Sequence, residues 1–246
     1  MNFSEVEKND SEVFKKSVDI PKFAENIKAQ NITDFKEADK SIYLEKNSID
    51  NKVSSSILEN LNSEGINKVR DNYPNVDRKL LEIGNDIDNA QSPMDLQRQM
   101  SRIGKYKGTI AECMLKDSLK NKFESVEDSQ RIVSTPEGDT KPDIVLVNAH
   151  ESIIIGKTVV NKGDDLFVEV KCGDASYIRN EMKHILKQVL GHEGKSVVIV
   201  TKDYYNISAD KRAEFEANLA EKGSSICVLD VHSKDIEKSI IENVRR

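Results

Sequence analysis

Two runs of four apolar residues, Ile144-Val145-Leu146-Val147 and Val197-Val198-Ile199-Val200, restrict what this chain can become more than any other feature. Each has the length of a strand buried on both faces, and each falls far short of the roughly 20 apolar residues that cross a bilayer. Strands of that kind need helices to cover them, and the flanking sequence supplies candidates. Ser92-Pro93 offers a helix N-cap followed by a first-turn proline, and a helical stretch is expected from there to about Phe123, with Gly104 and Gly108 as weak points. The period then changes. Strands are expected over residues 131–134, 143–148, 153–160 and 166–172, the last two separated by the turn Asn161-Lys162-Gly163-Asp164. Asp174 or Ser176 can cap a helix over 177–190 that Gly191 ends. A strand over 197–201, a helix from Ser208 or Asp210 to about Gly223, a strand over 225–231 and a helix over 234–244 complete the chain. That order predicts an α/β fold in which helices cover a mixed sheet.

The 246 residues allow one large domain or two small ones. Residues 1–91 read as a mostly helical region, with helix-like fragments over 5–16, 57–71 and 76–87 and breaks at Asn47-Ser48 and Ser54-Ser55-Ser56; residues 92–246 read as the α/β domain. The net charge is −6, with −5 of it in residues 1–100 and −1 in residues 101–246. A surface coated in positive charge is excluded, but a locally basic cleft is not, because the field that matters is the cleft's own. Met1-Asn2-Phe3-Ser4-Glu5 lacks the basic and apolar regions of a secretory signal, so the expectation is neither a membrane protein nor a Sec-exported precursor, with action in a cytoplasm. Cys113, Cys172 and Cys227 are odd in number, far apart and set among apolar residues, which predicts buried free thiols rather than a disulfide framework or zinc ribbon.

The informative segment is Leu166-Phe167-Val168-Glu169-Val170-Lys171-Cys172. Alternation along a strand puts Phe167, Glu169 and Lys171 on one face and Leu166, Val168, Val170 and Cys172 on the other. Two charges in an apolar strand are expensive to desolvate unless something pairs with them. An acidic residue two positions before a lysine also occurs at Asp34, Asp50, Asp77, Asp139, Glu181 and Glu193, so the spacing carries little by itself. Context separates this occurrence: Pro142-Asp143 leads into one apolar strand, and Glu112 stands one turn after Gly108 on the preceding helix. The competing reading is an edge strand whose Glu169 and Lys171 merely pair with each other.

Taken together, Glu112, Pro142-Asp143 and Glu169-Val170-Lys171 resemble the PD-(D/E)XK nuclease superfamily, and Gln188 on the following helix agrees with a polar residue frequent there. The resemblance covers roughly residues 95–205. It implies a restriction-endonuclease-like mixed sheet flanked by helices and a metal-dependent hydrolase that cuts phosphodiesters. Asp143 and Glu169, with the Val170 carbonyl, would bind Mg²⁺ or Mn²⁺; Glu112 would reach the metal through water or bind a second ion. Lys171 would orient or deprotonate the attacking water, or stabilise charge on phosphorus, and Gln188 would position substrate or water. The 25 residues between Asp143 and Glu169 exceed a simple hairpin, which leaves the pairing order of the strands open.

Substrate grip falls to the first core helix, where Arg102, Lys105, Lys107 and Gly108 are the expected nucleic-acid contacts; the helix also carries Arg98, Lys116 and Lys120. Tyr177, Glu181, His184 and Gln188 form a polar stripe on the next helix. His184 and His192 have no zinc-like spacing to any cysteine, and Tyr204-Tyr205 offers either base stacking or loop-edge packing. The expected substrate is DNA in preference to RNA. The resemblance admits a bacterial toxin delivered by a specialised secretion system and blocked by an immunity protein, or a homodimeric restriction-type endonuclease. The alternatives are a tRNase or other RNase on the same fold, and a non-catalytic nucleic-acid-binding module.

Overall fold

In the computed structural model the contacts divide the chain into Met1–Lys46 and Asn47–Arg246. The structure describes residues 48–128, 132–135, 138–189 and 196–244, all within the second unit. The helix expected over 5–16, and Arg131, Leu190, Gly191 and His192, lie outside the described residues.

Three helices come first: α1 (Asp50–Asn60), α2 (Ser63–Asn72) and α3 (Pro74–Asp88). Leu61-Asn62 breaks the stretch expected as one helix over 57–71, and the Asn62 side chain caps α2 by accepting the Gly65 N–H. Then α4 (Pro93–Leu119) opens as the Ser-Pro signal predicts, with the Ser92 hydroxyl accepting the Asp95 N–H at 3.1 Å. It stops four residues short of the expected end. Phe123 instead begins β1 (Phe123–Asp128), an edge strand rich in acidic residues whose period-2 signal is too weak to be read. The remaining elements are β2 (Val133–Thr135), β3 (Gly138–Thr140), β4 (Ile144–Ala149), β5 (Ile153–Ile155), β6 (Thr158–Val160), β7 (Leu166–Lys171), α5 (Ala175–Val189), β8 (Ser196–Thr201), α6 (Ala209–Glu221), β9 (Ser225–Leu229) and α7 (Ser233–Asn243).

The central sheet has the order β1-β4-β7-β8-β9. β1, β4 and β7 pair antiparallel; β7, β8 and β9 pair parallel, so the sheet is mixed as expected. Residues 153–160 are two short strands rather than one: Gly156, with φ +61, turns β5 back onto β6. This hairpin accounts for the long gap between Asp143 and Glu169 and leaves β4 paired directly with β7.

One face of the sheet buries Ile144, Leu146, Val168, Val170, Val197 and Ile199 under α1–α4 and α7. The other buries Val198 and Val200 under α5 and α6, with Ile178, Ile185, Phe215 and Leu219. Contacts run across the boundary expected at Ser92: Val53, Ile57, Ile66 and Leu80 share one core with the sheet, so the compact unit starts near residue 47 and not at 92. Among the described residues no helix is long and apolar enough to cross a membrane. The three cysteines are free and buried, as expected.

Candidate active site

The site follows from strand register. β4 and β7 pair Ile144 with Val168, so continuing the ladder by one residue sets Asp143 opposite Glu169. The Asp143 carboxylate accepts the Val170 N–H at 2.7 Å, which fixes it across the end of β7. The Lys171 ammonium donates to Asp143 Oδ2 at 3.2 Å and to Glu169 Oε2 at 3.1 Å. Those two oxygens therefore lie no more than 6.3 Å apart, the sum of the two distances. Glu169 and Lys171 are only 2% and 8% exposed, so this is a buried cluster and not the solvated edge pair of the competing reading.

α4 packs on the opposite face of β7 and reaches the same end of the strand. Gly104, Gly108 and Glu112 repeat at a spacing of four and form one stripe of that helix. The stripe, with Lys105, Lys107, Asp143, Val170, Lys171 and Tyr177, lines a cleft of about 460 Å³. A Cβ added at Gly104 or Gly108 would meet nothing within 4 Å among the described residues, so packing among them does not demand glycine at either position. Gly173 is different. A Cβ there would run into the Tyr177 ring, and its carbonyl accepts the Thr201 hydroxyl at 2.8 Å. The Asp174 side chain caps α5 through the Tyr177 N–H at 2.8 Å, which stands Tyr177 at the cleft wall.

The electrostatics match the burial. Glu112 is pushed up to about 7, first by burial and then by the negative charge of Asp143. Glu169 is pushed upward by burial and then by Asp143, despite Lys171. Burial pulls the Lys171 ammonium down, but Glu169 and Asp143 outweigh it and hold the group protonated well above the usual lysine range. Cys172 is pushed up to about 12, by burial first and then by Glu112, which keeps it a neutral thiol.

Not every expected site residue arrives here. Arg102 points away, its guanidinium held by Asp86 at 2.5 Å and Glu82 at 2.7 Å, so it ties α4 to α3. Lys107 lines the cleft but pairs with Glu237 on α7 at 3.5 Å; Lys105 is exposed at the cleft mouth. Gln188 lies in a separate hollow with Thr140, Lys141, His184 and Lys187. Tyr204 is a core residue whose hydroxyl donates to Glu216 at 3.0 Å, the packing alternative for that residue, whereas Tyr205 is exposed. Gly173 and Thr140 were missed by sequence reasoning; a glycine directly after Lys171-Cys172 was the available signal for the first.

Among the described residues no three His, Cys, Asp or Glu side chains group to hold a metal ion. Mg²⁺, however, is commonly held by one or two carboxylates plus waters and substrate oxygens. Two features fit that smaller donor set. The Asp143 and Glu169 carboxyl groups converge, and Glu169 Oε1 is buried with no hydrogen-bond partner among the described residues. A buried carboxyl oxygen without a partner is costly and suited to a ligand. No family model, curated protein or solved structure matches the chain.

Proposed function

We propose that this chain is a metal-dependent endonuclease of the PD-(D/E)XK type that hydrolyses DNA phosphodiesters. The observation that carries the reading is the convergence of Asp143, Glu169 and Lys171 at one end of the β4–β7 ladder, with Glu112 lining the same cleft as Asp143 and Lys171 and with Glu169 Oε1 unpartnered among the described residues. The order of elements also supports it: α4, three antiparallel strands, α5 and a parallel strand repeat the helix–strands–helix–strand order of a restriction-endonuclease-like core.

Asp143, Glu169 and the Val170 carbonyl would hold the cation, with Glu112 beside it. Such an ion supplies a water of lowered pKa and neutralises charge on phosphate oxygens. The chain's own groups do the rest. Lys171, which donates to both carboxylates, would donate to the attacking water or to phosphate oxygens. Glu112, pushed up to about 7, is the carboxyl matched to moving a proton near neutral pH. The open stripe at Gly104 and Gly108 lets a phosphate backbone approach α4 without meeting a side chain, and Lys105 supplies positive charge at its rim.

The test is incubation of the purified protein with plasmid DNA and with total tRNA, each with Mg²⁺, Mn²⁺ or EDTA. Metal-dependent nicking or linearisation of the plasmid is the expected result. Cleavage of tRNA alone would move the assignment to an RNase on the same site. Survival of both nucleic acids in both metals would remove the enzymatic reading and leave a non-catalytic binding module.

A further inference from the structure

A second hollow, of about 300 Å³, lies between the segment leading into β4 and the last turns of α5. Thr140 and Lys141 line it from one side; His184, Lys187 and Gln188 line it from the other. Thr140 is 8% exposed and its hydroxyl has no partner among the described residues, and the side-chain oxygen of Gln188 is likewise buried and unpaired among them. A buried polar group left unsatisfied is costly, and two in one small hollow mark a place where hydrogen bonds are missing. The hollow is also basic. Lys141, His184 and Lys187 are exposed at its rim, and Asp139, the one carboxylate lining it among the described residues, accepts the Ser134 hydroxyl at 2.8 Å.

We infer that this hollow is a second phosphate subsite, which takes a backbone phosphate of the same nucleic-acid strand beside the one cut at Asp143 and Glu169. The inference rests on the endonuclease reading and extends it. Lys141 and Asp143 are two residues apart, so their Cα atoms lie within about 7 Å. That distance is about one nucleotide step, because successive phosphates of a strand rise 3.4 Å along the duplex axis while also winding around it and so stand roughly 7 Å apart. The Thr140 hydroxyl donates to a phosphate oxygen; the Gln188 amide, turned by half a rotation, presents its NH₂ to the same place. Lys141 and Lys187 neutralise the charge. Gln188 is therefore a positioning residue for the strand, not part of the cleft that holds the carboxylates.

Fluorescence anisotropy with a labelled DNA duplex tests this, in Ca²⁺ and over a series of KCl concentrations, with cleavage in Mg²⁺ measured in parallel. Lys141→Ala combined with Lys187→Ala is expected to weaken binding at least tenfold. The slope of log affinity against log salt should also fall in magnitude by about 1, since one phosphate contact is worth roughly 0.9. Thr140→Val is expected to weaken binding about fivefold while leaving the thermal midpoint unchanged or raised, because it removes an unpaired hydroxyl. Wild-type cleavage with full affinity and an unchanged slope in the double lysine variant would overturn the subsite and leave the endonuclease reading standing. A lowered midpoint with unchanged binding in Thr140→Val would also overturn it, by making the hydroxyl structural. A wild-type protein that neither binds nor cuts DNA would remove the endonuclease reading and the subsite together.

Discussion

β7 and β8 are neighbours in the sheet, and their parallel register sets Glu169 beside Val198 and Lys171 beside Val200. All four residues are buried on the same face. At β8 the burial is favourable, about 1.5–3 kcal/mol for each valine. At β7 each charge costs several kcal/mol to desolvate, and their mutual attraction only partly offsets that cost. The fold thus meets one structural position with two opposite chemistries, 5 Å or so apart across the ladder. Since valine serves at β8, the sheet does not require charge at β7. The pair, together with Asp143, is carried for something other than stability.

Breaking the comparison at its functional end should have the largest effect. Asp143→Ala, Glu169→Ala and Lys171→Ala are each expected to lower the rate of metal-dependent cleavage by about 10²–10⁴-fold while the far-ultraviolet circular dichroism stays that of the native protein. Retained cleavage in Lys171→Ala would count directly against the mechanism. The comparison itself is sharpened by stability measurements in EDTA. Lys171→Met alone leaves Glu169 and Asp143 facing each other and should cost about 3–5 kcal/mol in urea unfolding. Converting β7 into a copy of β8, by Glu169→Val with Lys171→Val, should be neutral or stabilising, by up to about 4 kcal/mol.

Acidity probes the same cluster from α4. Because folding raises Glu112 from 4.5 to about 7, the folded state favours its neutral form. Its contribution to stability is complete below about pH 4.5 and is lost as the pH rises through 7, roughly 3 kcal/mol over that window. Glu112→Gln should flatten this fall in the urea-unfolding free energy of the metal-free protein. An unchanged pH dependence in that variant would show that Glu112 is not the group responsible. The smallest effect is expected at the open stripe. Gly104→Ala or Gly108→Ala should raise helix stability by about 0.5–1 kcal/mol, since neither new methyl meets anything. The same variants should weaken DNA binding in the anisotropy assay; unchanged binding would mean that the backbone of α4 is not approached.

Much of this was legible in the sequence because the relevant signals are local. Four consecutive apolar residues announce β4 and β8, and Ser92-Pro93 announces α4. Glu169 and Lys171 stood out because charges interrupt an apolar strand, and Pro142-Asp143 because it precedes one. What escaped depends on distant partners. β1 is an acidic edge strand whose identity comes from pairing with β4. Arg102 looked like a substrate contact until α3 brought Asp86 and Glu82 to it. Gln188 has the right type and element, but its position on α5 turns it toward Thr140 instead of Glu169. Side-chain chemistry was readable, then, wherever the register of two strands alone decided the neighbour, and not where helix packing did.

The β5–β6 hairpin works at the opposite end of the sheet from the carboxylates. Thr158 donates to the Ser196 carbonyl at 3.0 Å, Lys157 donates its backbone N–H to Ser225 at 2.8 Å, and Gly156 sits so close to the Ile226 carbonyl that no larger residue fits. It therefore buckles together the starting points of β8 and β9, while catalysis would occur where β7 finishes. Anchoring and chemistry are thereby assigned to separate poles of one sheet. An engineer could loosen or tighten the buckle, or lengthen the exposed Asn161–Asp164 bend beside it, and retune heat tolerance without moving the atoms that would handle the substrate.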